Sequence, residues 1–275
     1  FADINNDGLF DYLSTDMAAT THFKQKTMMG AMTDTAWFLD NLEPRQYMRN
    51  TVQLNTGTEQ FIDIAFFAGL DSTDWTWGGI FGDLDNDGYE DSFFTNGIER
   101  NVQDSDNNIR MHKAKQKGAT AAEQMEIFLN GPRFKESNLA FKNQGNLRFK
   151  NSSAEWGLDQ LTVSHGAILS DLDRDGDLDI VVNNMNDPVG IYRNNSYQKG
   201  ILVSLIGTTS NHFGLGTRIF ADLENGTTLS RIITSSRGYM SGIEPIAHFG
   251  LGEATAVKSL RVEWPSGEKQ TFLYL

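Results

Sequence analysis

The sequence contains no cysteine and only 5 prolines among its 275 residues. The absence of cysteine excludes disulfide bonds, thiolate metal sites and a cysteine nucleophile. No apolar run approaches the roughly 20 residues that a membrane-spanning helix requires, so we expect no membrane insertion by this segment. Basic residues are also scarce, since 23 Lys and Arg stand against 36 Asp and Glu. The resulting net charge of −13 disfavours nucleic acids and anionic membrane surfaces as partners.

The rest of the composition is typical of a folded, helix-poor chain. Hydrophobic residues make up 39% of the sequence and charged residues 21%, and glycine is frequent at 26 residues. A disordered chain of this charge would have fewer apolar side chains. The length suffices for one large domain or two ordinary ones with a sizeable core.

The sequence repeats itself. Residues recur at an offset of 88 positions. They are Asn55, Gly57, Phe61, Gly69, Gly78, Asp83, Asp91 and Asn96, which return as Asn143, Gly145, Phe149, Gly157, Gly166, Asp171, Asp179 and Asn184. A partial third copy begins near Asp3 and precedes the middle copy by 80 positions. The offsets differ because insertions of different length interrupt one point of a repeat core of about 51 residues.

Each repeat core predicts several short strands separated by turns. In the middle copy the strand-like runs lie at 79–82, 91–95, 138–141 and 147–149. Four strands in about 50 residues is the size of one β-propeller blade. We therefore predict an all-β fold that contains a partial β-propeller of four-stranded blades. Closed propellers have roughly 4 to 8 blades, so we expect this sequence to be a fragment of a larger propeller.

An Asp-rich turn lies between the first two strands of every copy. We name these turns loop 1 (residues 3–11), loop 2 (residues 83–91) and loop 3 (residues 171–179). Each has oxygen-bearing side chains at positions 1, 3, 5 and 9 and a glycine at position 6. Alternate residues of a tight turn can direct their oxygens at one centre, and Ca²⁺ takes six to eight oxygen ligands. The pattern therefore predicts about three Ca²⁺ ions.

The predicted ligands are the four side chains of each loop and the backbone carbonyl of position 7. They are Asp3, Asn5, Asp7, Leu9 and Asp11 in loop 1, Asp83, Asp85, Asp87, Tyr89 and Asp91 in loop 2, and Asp171, Asp173, Asp175, Asp177 and Asp179 in loop 3. Without a cation, each loop would hold three or four carboxylates in mutual repulsion, which costs free energy.

Three alternatives compete with these calcium sites. An EF-hand needs a glutamate at position 12 between two helices, whereas this position holds Ser14, Phe94 and Val182 and the flanks resemble strands. Mg²⁺ fits less well because it retains several waters. The third alternative is a set of Asp- and Gly-rich hairpin turns without any metal.

The loops resemble the FG-GAP/VCBS-type repeats of integrin-α-like β-propellers. Residues 201–275 resemble the ASPIC/UnbV domain of the cartilage-acidic-protein-like family. This second resemblance rests on the stretches 214–218, 237–241, 248–252 and 262–267. Together the resemblances imply a calcium-dependent extracellular or cell-surface protein that binds a partner.

The chain divides into two predicted domains. Residues 1–198 would form the propeller blades, with insertions at about 17–46 and 97–137, and residues 199–275 a small β-barrel or sandwich. Strand-like runs at 201–205, 218–221 and 259–264 support the second domain.

The insertions are candidate recognition surfaces, because loops on one face of a repeat protein often carry binding residues. The first insertion contains Met28, Met29, Met32, Trp37 and Phe38. The second contains Arg110, Lys113, Lys115 and Lys117, followed by a predicted helix at 119–129. The alternative is ordinary decoration that packs on the neighbouring blades, with the basic cluster as a solvated face.

Five aromatic or histidine positions also invite a functional interpretation. Trp75, Trp77 and Trp156 could stack on sugars, but their places in the repeat favour packing between blades. His165 occupies the repeat position of Trp77, which favours packing as well. His248 has no serine or carboxylate at a spacing typical of a catalytic triad.

The functional prediction is a binding or adhesion module and not an enzyme. We expect a protein or polysaccharide ligand, or other subunits of a surface complex, outside the cell or at a bacterial outer-membrane surface. A propeller-based glycan lyase or hydrolase and a purely structural subunit remain the alternatives, since a fold does not determine an activity.

Overall fold

A computed structural model describes residues 1–28, 48–102, 104–209 and 211–274, and within these ranges the chain consists mainly of short antiparallel strands. The predicted all-β class is therefore confirmed. The strands are β1 (Tyr12–Ser14), β2 (Met17–Ala18), β3 (Thr51–Asn55), β4 (Phe61–Asp63), β5 (Asp74–Gly82), β6 (Asp91–Asn96), β7 (Glu136–Ser137), β8 (Leu139–Asn143), β9 (Phe149–Asn151), β10 (Leu161–Thr162), β11 (Ser164–Ser170), β12 (Asp179–Asn184), β13 (Gly190–Tyr192), β14 (Gly200–Ser204), β15 (Arg218–Leu223), β16 (Thr228–Ile232), β17 (Ile246–Gly250), β18 (Val257–Glu263) and β19 (Lys269–Leu273). The helices are α1 (His22–Met28), α2 (Ala65–Ala68), α3 (Ser105–Gln116) and α4 (Ala121–Leu129).

The middle repeat forms blade 2, an antiparallel sheet in the order β2-β5-β6-β8-β9. Its central strand β6 pairs Phe93 with Ile80 on one side and with Ala140 on the other. Successive side chains of a strand point to opposite faces, so Phe93 and Phe94 enter two different hydrophobic cores. Both rings are almost completely buried. The sheet is therefore packed on both faces, as a blade between two neighbours must be.

The other two repeats form smaller sheets on either side. Blade 1 has the order β1-β3-β4 and blade 3 the order β11-β12-β13. Val52 and Phe94 belong to the core that blade 1 shares with blade 2. Ile80, Phe93 and Ile180 belong to the core between blade 2 and blade 3. The four-strand pattern predicted for the repeat is complete in blade 2, while blades 1 and 3 contain three strands each among the described residues.

The second insertion is a helical hairpin between β6 and β8. Helix α3 begins after Asp104, whose side chain accepts a hydrogen bond from the Asn107 amide. Helix α4 begins after Thr120, which forms a capping box with Glu123. The predicted helix at 119–129 is thus confirmed as α4. The basic cluster lies mostly on α3, a helix that the sequence pattern did not predict.

The first insertion is described only in part. Its first residues pair with blade 2, because β2 places Met17 opposite Trp75 and Ala18 opposite Asp74. Helix α1 follows at His22–Met28. Met29, Met32, Trp37 and Phe38 lie outside the described residues.

The C-terminal part contains two further antiparallel sheets, in the orders β16-β15-β18-β19 and β14-β17. Their inner faces share one core that includes Ile219, Leu229, Phe249 and Val262. Strand β13 ends before and β14 begins after the predicted boundary at residue 198. In the described ranges, no helix has both the length and the apolar character that crossing a bilayer requires.

Candidate metal centre

The three loops have the same backbone conformation. Position 4 adopts a left-handed conformation in each loop, with φ of 58° at Asn6, 59° at Asn86 and 63° at Arg174. The glycine at position 6 does the same, with φ of 85°, 96° and 94° in loops 1, 2 and 3. Loop 2 connects β5 to β6 and loop 3 connects β11 to β12. The flanking strands exclude the EF-hand alternative, which requires helices.

The aspartate at position 9 fixes each loop to its own blade. In loop 2, the Asp91 carboxylate accepts the Leu84 amide at 2.9 Å and the Asn143 amide at 2.7 Å. Asp11 and Asp179 accept the matching pairs of amides in loops 1 and 3. Asp91 is fully buried. Position 9 is therefore a structural acceptor as well as a predicted ligand.

The aspartate at position 1 holds the turn closed. Asp83 accepts the amide of Gly88 at 2.8 Å, and Asp171 accepts that of Gly176 at 3.0 Å. The same bond joins Asp3 to the glycine of loop 1 at 2.8 Å. Position 1 thereby faces the interior of each turn.

Carboxylates converge in two of the loops, where they could hold a metal ion. Among the described residues, ligand atoms of Asp83, Asp85 and Asp87 lie within 4.8 Å of one another, and those of Asp171, Asp173 and Asp179 do the same. Loop 1 has fewer carboxylates because Asn5 occupies position 3. The amide side chain of Asn5 still offers an oxygen, so position 3 carries an oxygen donor in all three loops. The roles of these residues as metal ligands stay predictions.

The unsatisfied oxygens of loop 2 provide a test of whether a cation fits. Oδ1 of Asp83 and Oδ1 of Asp85 are both buried and have no hydrogen-bond partner. Asp83 is only 1% exposed. A buried carboxylate oxygen without a partner is costly unless a positive charge or a donor satisfies it. The donor set of loop 2 therefore fits a hard cation that prefers oxygen ligands.

The pKa values of the loop carboxyls also report a shortage of positive charge. Burial, together with the charges of Asp87 and Asp85, raises the pKa of Asp83 to about 7. Burial likewise raises the pKa of Asp11 and of Asp177 to about 6. The pKa of Asp91 is raised well above its ordinary value, first by burial and then by Asp85. A bound cation would favour the ionised forms of these groups.

Two basic side chains partly supply that charge. The Lys142 ammonium contacts Asp85 and lies 2.9 Å from Oδ2 of Asp87. In loop 3, the Arg193 guanidinium lies 2.7 Å from Asp173 and 3.4 Å from Asp175. Both basic residues contact the carboxylates of positions 3 and 5.

Hydrogen bonds join each loop to the next. The side-chain amide at position 4 donates to the position 6 carbonyl of the following loop, from Asn6 to Gly88 and from Asn86 to Gly176, each at 3.2 Å. The Asn143 side chain of blade 2 also donates to the Ile4 carbonyl of loop 1 at 2.8 Å. The loops therefore form one connected row at one end of the blades.

The C-terminal sheets can be assigned by comparison with known proteins. Residues 207–275 match the family model described as ASPIC and UnbV. The chain carries an ASPIC/UnbV domain. A stretch of 107 residues is 32% identical to cartilage acidic protein 1 of Homo sapiens, and the same identity holds for the Mus musculus and Xenopus tropicalis proteins of that name. The aligned stretch covers 38% of this chain and spans only 16% of each relative.

The ASPIC/UnbV domain lies directly on the row of loops. On loop 1, the Ser230 hydroxyl donates to Oδ2 of Asp3 at 2.5 Å, and Arg218 donates to the Gly8 carbonyl at 2.6 Å. On loop 2, the Gly252 amide donates to the Asn86 carbonyl at 2.8 Å.

Loop 3 is contacted by His248 of the ASPIC/UnbV domain. Its Nε2 lies 3.2 Å from the carbonyl oxygen of Gly176. A carbonyl only accepts, so Nε2 is the protonated nitrogen. Together with the contacts on loops 1 and 2, this contact means that the domain touches all three loops.

A buried charge cluster lies beneath the ASPIC/UnbV domain. Glu90, at position 8 of loop 2, is 2% exposed, and its carboxylate lies 3.4 Å from Arg237 and 3.9 Å from Arg231. Although burial opposes it, the charges of Arg231 and Arg237 hold the pKa of Glu90 below its ordinary value. These three residues line a cavity of about 60 Å³ together with Asp83 and His248. The domain thus supplies two of the positive charges that the blades lack.

An arm of the ASPIC/UnbV domain, residues 235–242, lies along the innermost strands of blades 2 and 3. It fits there because glycines replace side chains at the contact. A Cβ added to Gly78 would come within 3.2 Å of Tyr239, and one added to Gly166 within 2.8 Å of Ser241. Arg237 on this arm also donates to the Phe81 carbonyl at 3.0 Å.

The structure places the remaining sequence candidates in packing contacts. The ring of Trp77 lies 4.4 Å from that of His165 and 5.3 Å from that of Tyr239, between centroids. Trp156 packs against the core between blades 2 and 3. Oδ2 of the Asp177 side chain accepts the Ser196 amide at 2.8 Å, while its Oδ1 is buried without a hydrogen-bond partner. Sequence reasoning missed Lys142 and Arg193, although each directly precedes an asparagine of the repeat.

Proposed function

We propose that loops 1, 2 and 3 each bind one Ca²⁺ and that the ions stabilise the blades and their contact with the ASPIC/UnbV domain. The shared left-handed conformation at positions 4 and 6 supports this, because it repeats one turn of the backbone in all three loops. The observation that carries the proposal is the pair of unpartnered Oδ1 atoms of Asp83 and Asp85. Ca²⁺ suits such sites better than Mg²⁺ because it accepts many oxygen ligands in flexible geometry.

Calorimetric titration of the metal-depleted protein tests the metal proposal. We expect about three Ca²⁺ per chain, and two in the Asp87→Asn variant, because position 5 is aspartate in all three loops and this change removes that carboxylate from loop 2. Asp106→Asn, on the exposed first turn of α3, is the matched control and should retain three. A wild-type protein that takes up no Ca²⁺ at millimolar concentration would overturn the proposal.

We further propose that the protein acts outside the cell as a binding module for a protein or polysaccharide and not as an enzyme. The negative net charge, the similarity to cartilage acidic protein 1 and the millimolar Ca²⁺ of extracellular fluids support this location. The buried charge cluster does not favour catalysis, because its cavity of about 60 Å³ is far smaller than the roughly 300 Å³ of small-molecule sites.

The helical hairpin is the proposed contact for that partner. It lines one groove with the basic Arg110 and Lys117 and with the acidic Glu123 and Glu126. Surface binding to immobilised matrix proteins and glycans should weaken in the variant Arg110→Glu, Lys117→Glu. Lys150→Glu, away from the hairpin, is the control. A turnover screen on the same glycans tests the enzymatic alternative. Product formation in that screen would contradict the proposed binding role and favour a glycan lyase or hydrolase.

A further inference from the structure

Three residues occupy the same place beside the three loops. The backbone amides of Asn55, Asn143 and Asn194 donate to Oδ1 of the position 9 aspartate at 2.8, 2.7 and 2.8 Å. The residue that precedes each asparagine is therefore equivalent in the three blades. These residues are Leu54, Lys142 and Arg193.

The charge of this residue follows the charge of position 3 in the adjacent loop. Lys142 and Arg193 lie beside loops with aspartate at position 3, namely Asp85 and Asp173. Leu54 lies beside loop 1, where position 3 is Asn5. An extra carboxylate among positions 1, 3, 5 and 9 is thus matched by one basic side chain. The formal charge summed over positions 1, 3, 5 and 9 and the residue that precedes the asparagine is therefore the same in all three loops.

An ordinary surface ion pair would not have this arrangement. Lys150 and Glu155 form such a pair, and their side chains are 55% and 62% exposed. The Lys142 side chain is 34% exposed and contacts two carboxylates that are 27% and 22% exposed. Those carboxylates belong to positions 3 and 5, where a metal ion would also bind. Arg193 contacts the same two positions of loop 3 but is 66% exposed.

We propose that Lys142 and Arg193 are tethered counter-ions that hold loops 2 and 3 in their folded conformation without metal and lower the metal affinity of these loops. The proposal rests on metal binding by the loops, as put forward above. A bound cation must share the carboxylates of positions 3 and 5 with the basic side chain. The basic residue therefore offsets the extra carboxylate and brings the affinities of the three loops closer together.

Each loop can be followed separately by NMR through its position 6 glycine. The amides of Gly8, Gly88 and Gly176 donate to the position 1 aspartates, so each should shift when its own loop binds Ca²⁺. The midpoint of each shift is the Ca²⁺ concentration at which half of it is complete. In Lys142→Met we expect the Gly88 midpoint to fall about tenfold, because one unit of positive charge near the ion is removed. The Gly8 midpoint should not move.

Arg193→Met tests the same inference at loop 3. It should lower the Gly176 midpoint by a smaller factor, since the exposed guanidinium is more strongly screened by water. Lys142→Arg retains the charge and should leave the Gly88 midpoint close to that of the wild type. Lys150→Met is the control for a surface lysine.

A reciprocal experiment leaves the basic residues untouched. Asn5→Asp adds a carboxylate to loop 1 and should lower the Gly8 midpoint. Adding Leu54→Lys to that variant should raise it again. The inference is overturned if Lys142→Met leaves the Gly88 midpoint unchanged or raises it. If no glycine amide of the wild-type protein responds to Ca²⁺, metal binding itself fails, which is a different result.

Discussion

The side-chain amide of Asn86 in loop 2 donates to the carbonyl oxygen of Gly176 in loop 3, 3.2 Å away. The same amide donates to the Gln198 carbonyl at 2.9 Å, just before the C-terminal sheets begin. One buried side chain thus joins two blades and the segment that leads into the ASPIC/UnbV domain. Because its backbone is left-handed, asparagine suits both the conformation and the contacts.

Asn86→Gly should lower the free energy of unfolding by about 1–3 kcal/mol, because its hydrogen bonds to the carbonyls of Gly176 and Gln198 are lost while the φ angle remains favourable. Arg174→Gly is the matched control, since Arg174 has the same φ region at position 4 of loop 3. Its stability should change by less than about 1 kcal/mol. Urea unfolding of both variants provides the measurement, and equal losses would contradict the assigned role.

Asp91→Ala should destabilise the protein even when EDTA is present. The change removes the acceptor of two buried backbone amides, which costs about 2–4 kcal/mol in addition to any loss of metal. Asp159→Asn, at an exposed position outside the loops, should matter little under the same conditions. Thermal unfolding in EDTA separates the two, and an unaffected Asp91→Ala melt would show that position 9 has no structural part.

Glu90→Gln should cost about 3–5 kcal/mol, because it removes the carboxylate between the buried Arg231 and the half-buried Arg237. The effect should persist at 1 M salt, which screens buried charges poorly. Glu155→Gln removes an exposed ion pair and should cost less than about 1 kcal/mol. Similar losses in the two variants would argue against a buried pairing.

His248 should make stability depend on pH between about 4 and 6.5. Burial, and after it the charge of Arg231, lower the pKa of His248 to about 4 from 6.5, against the opposing effects of the Gly176 carbonyl, Glu90 and Asp171. The native state therefore binds fewer protons than the unfolded state in this range. Stability from His248 is complete above pH 6.5 and falls by about 3 kcal/mol as the pH approaches 4.

Comparison of the wild type with His248→Gln isolates this contribution. Glutamine can still donate to the Gly176 carbonyl but does not titrate. The carboxyls of Asp11 and Asp83, whose pKa values are raised, contribute the opposite slope in both proteins. Urea midpoints at pH 7 and pH 5 should differ less in the variant. His112→Gln, on α3, is the control and should behave as the wild type.

The local features of the loops could be predicted from the sequence because they depend on neighbouring residues. The glycine at position 6 and the alternating oxygens specify the turn, and the runs at 79–82 and 91–95 specify the strands that flank loop 2. The sequence predicts a strand at 147–149, whereas the observed strand β9 begins only at Phe149. Residue patterns predict that a strand or helix exists more accurately than they predict the residues at which it begins and ends.

Contacts between distant segments could not be predicted in the same way. Nothing in the neighbourhood of Ser230 indicates that its hydroxyl meets Asp3, because only the assembled fold brings them together. Helix α3 was missed because its sequence is highly polar and has one buried residue, so no apolar face marks it. Lys142 could have been noticed, as it precedes a repeated asparagine in the way Arg193 does.

The bond between Asp3 and Ser230 spans 227 residues of sequence. During synthesis, the first acidic turn emerges long before the strand that covers it. Such nonlocal pairing slows folding, because chain entropy is lost before the contact compensates it. Blade 1 therefore stays incompletely covered until the ASPIC/UnbV domain that contacts it has been translated.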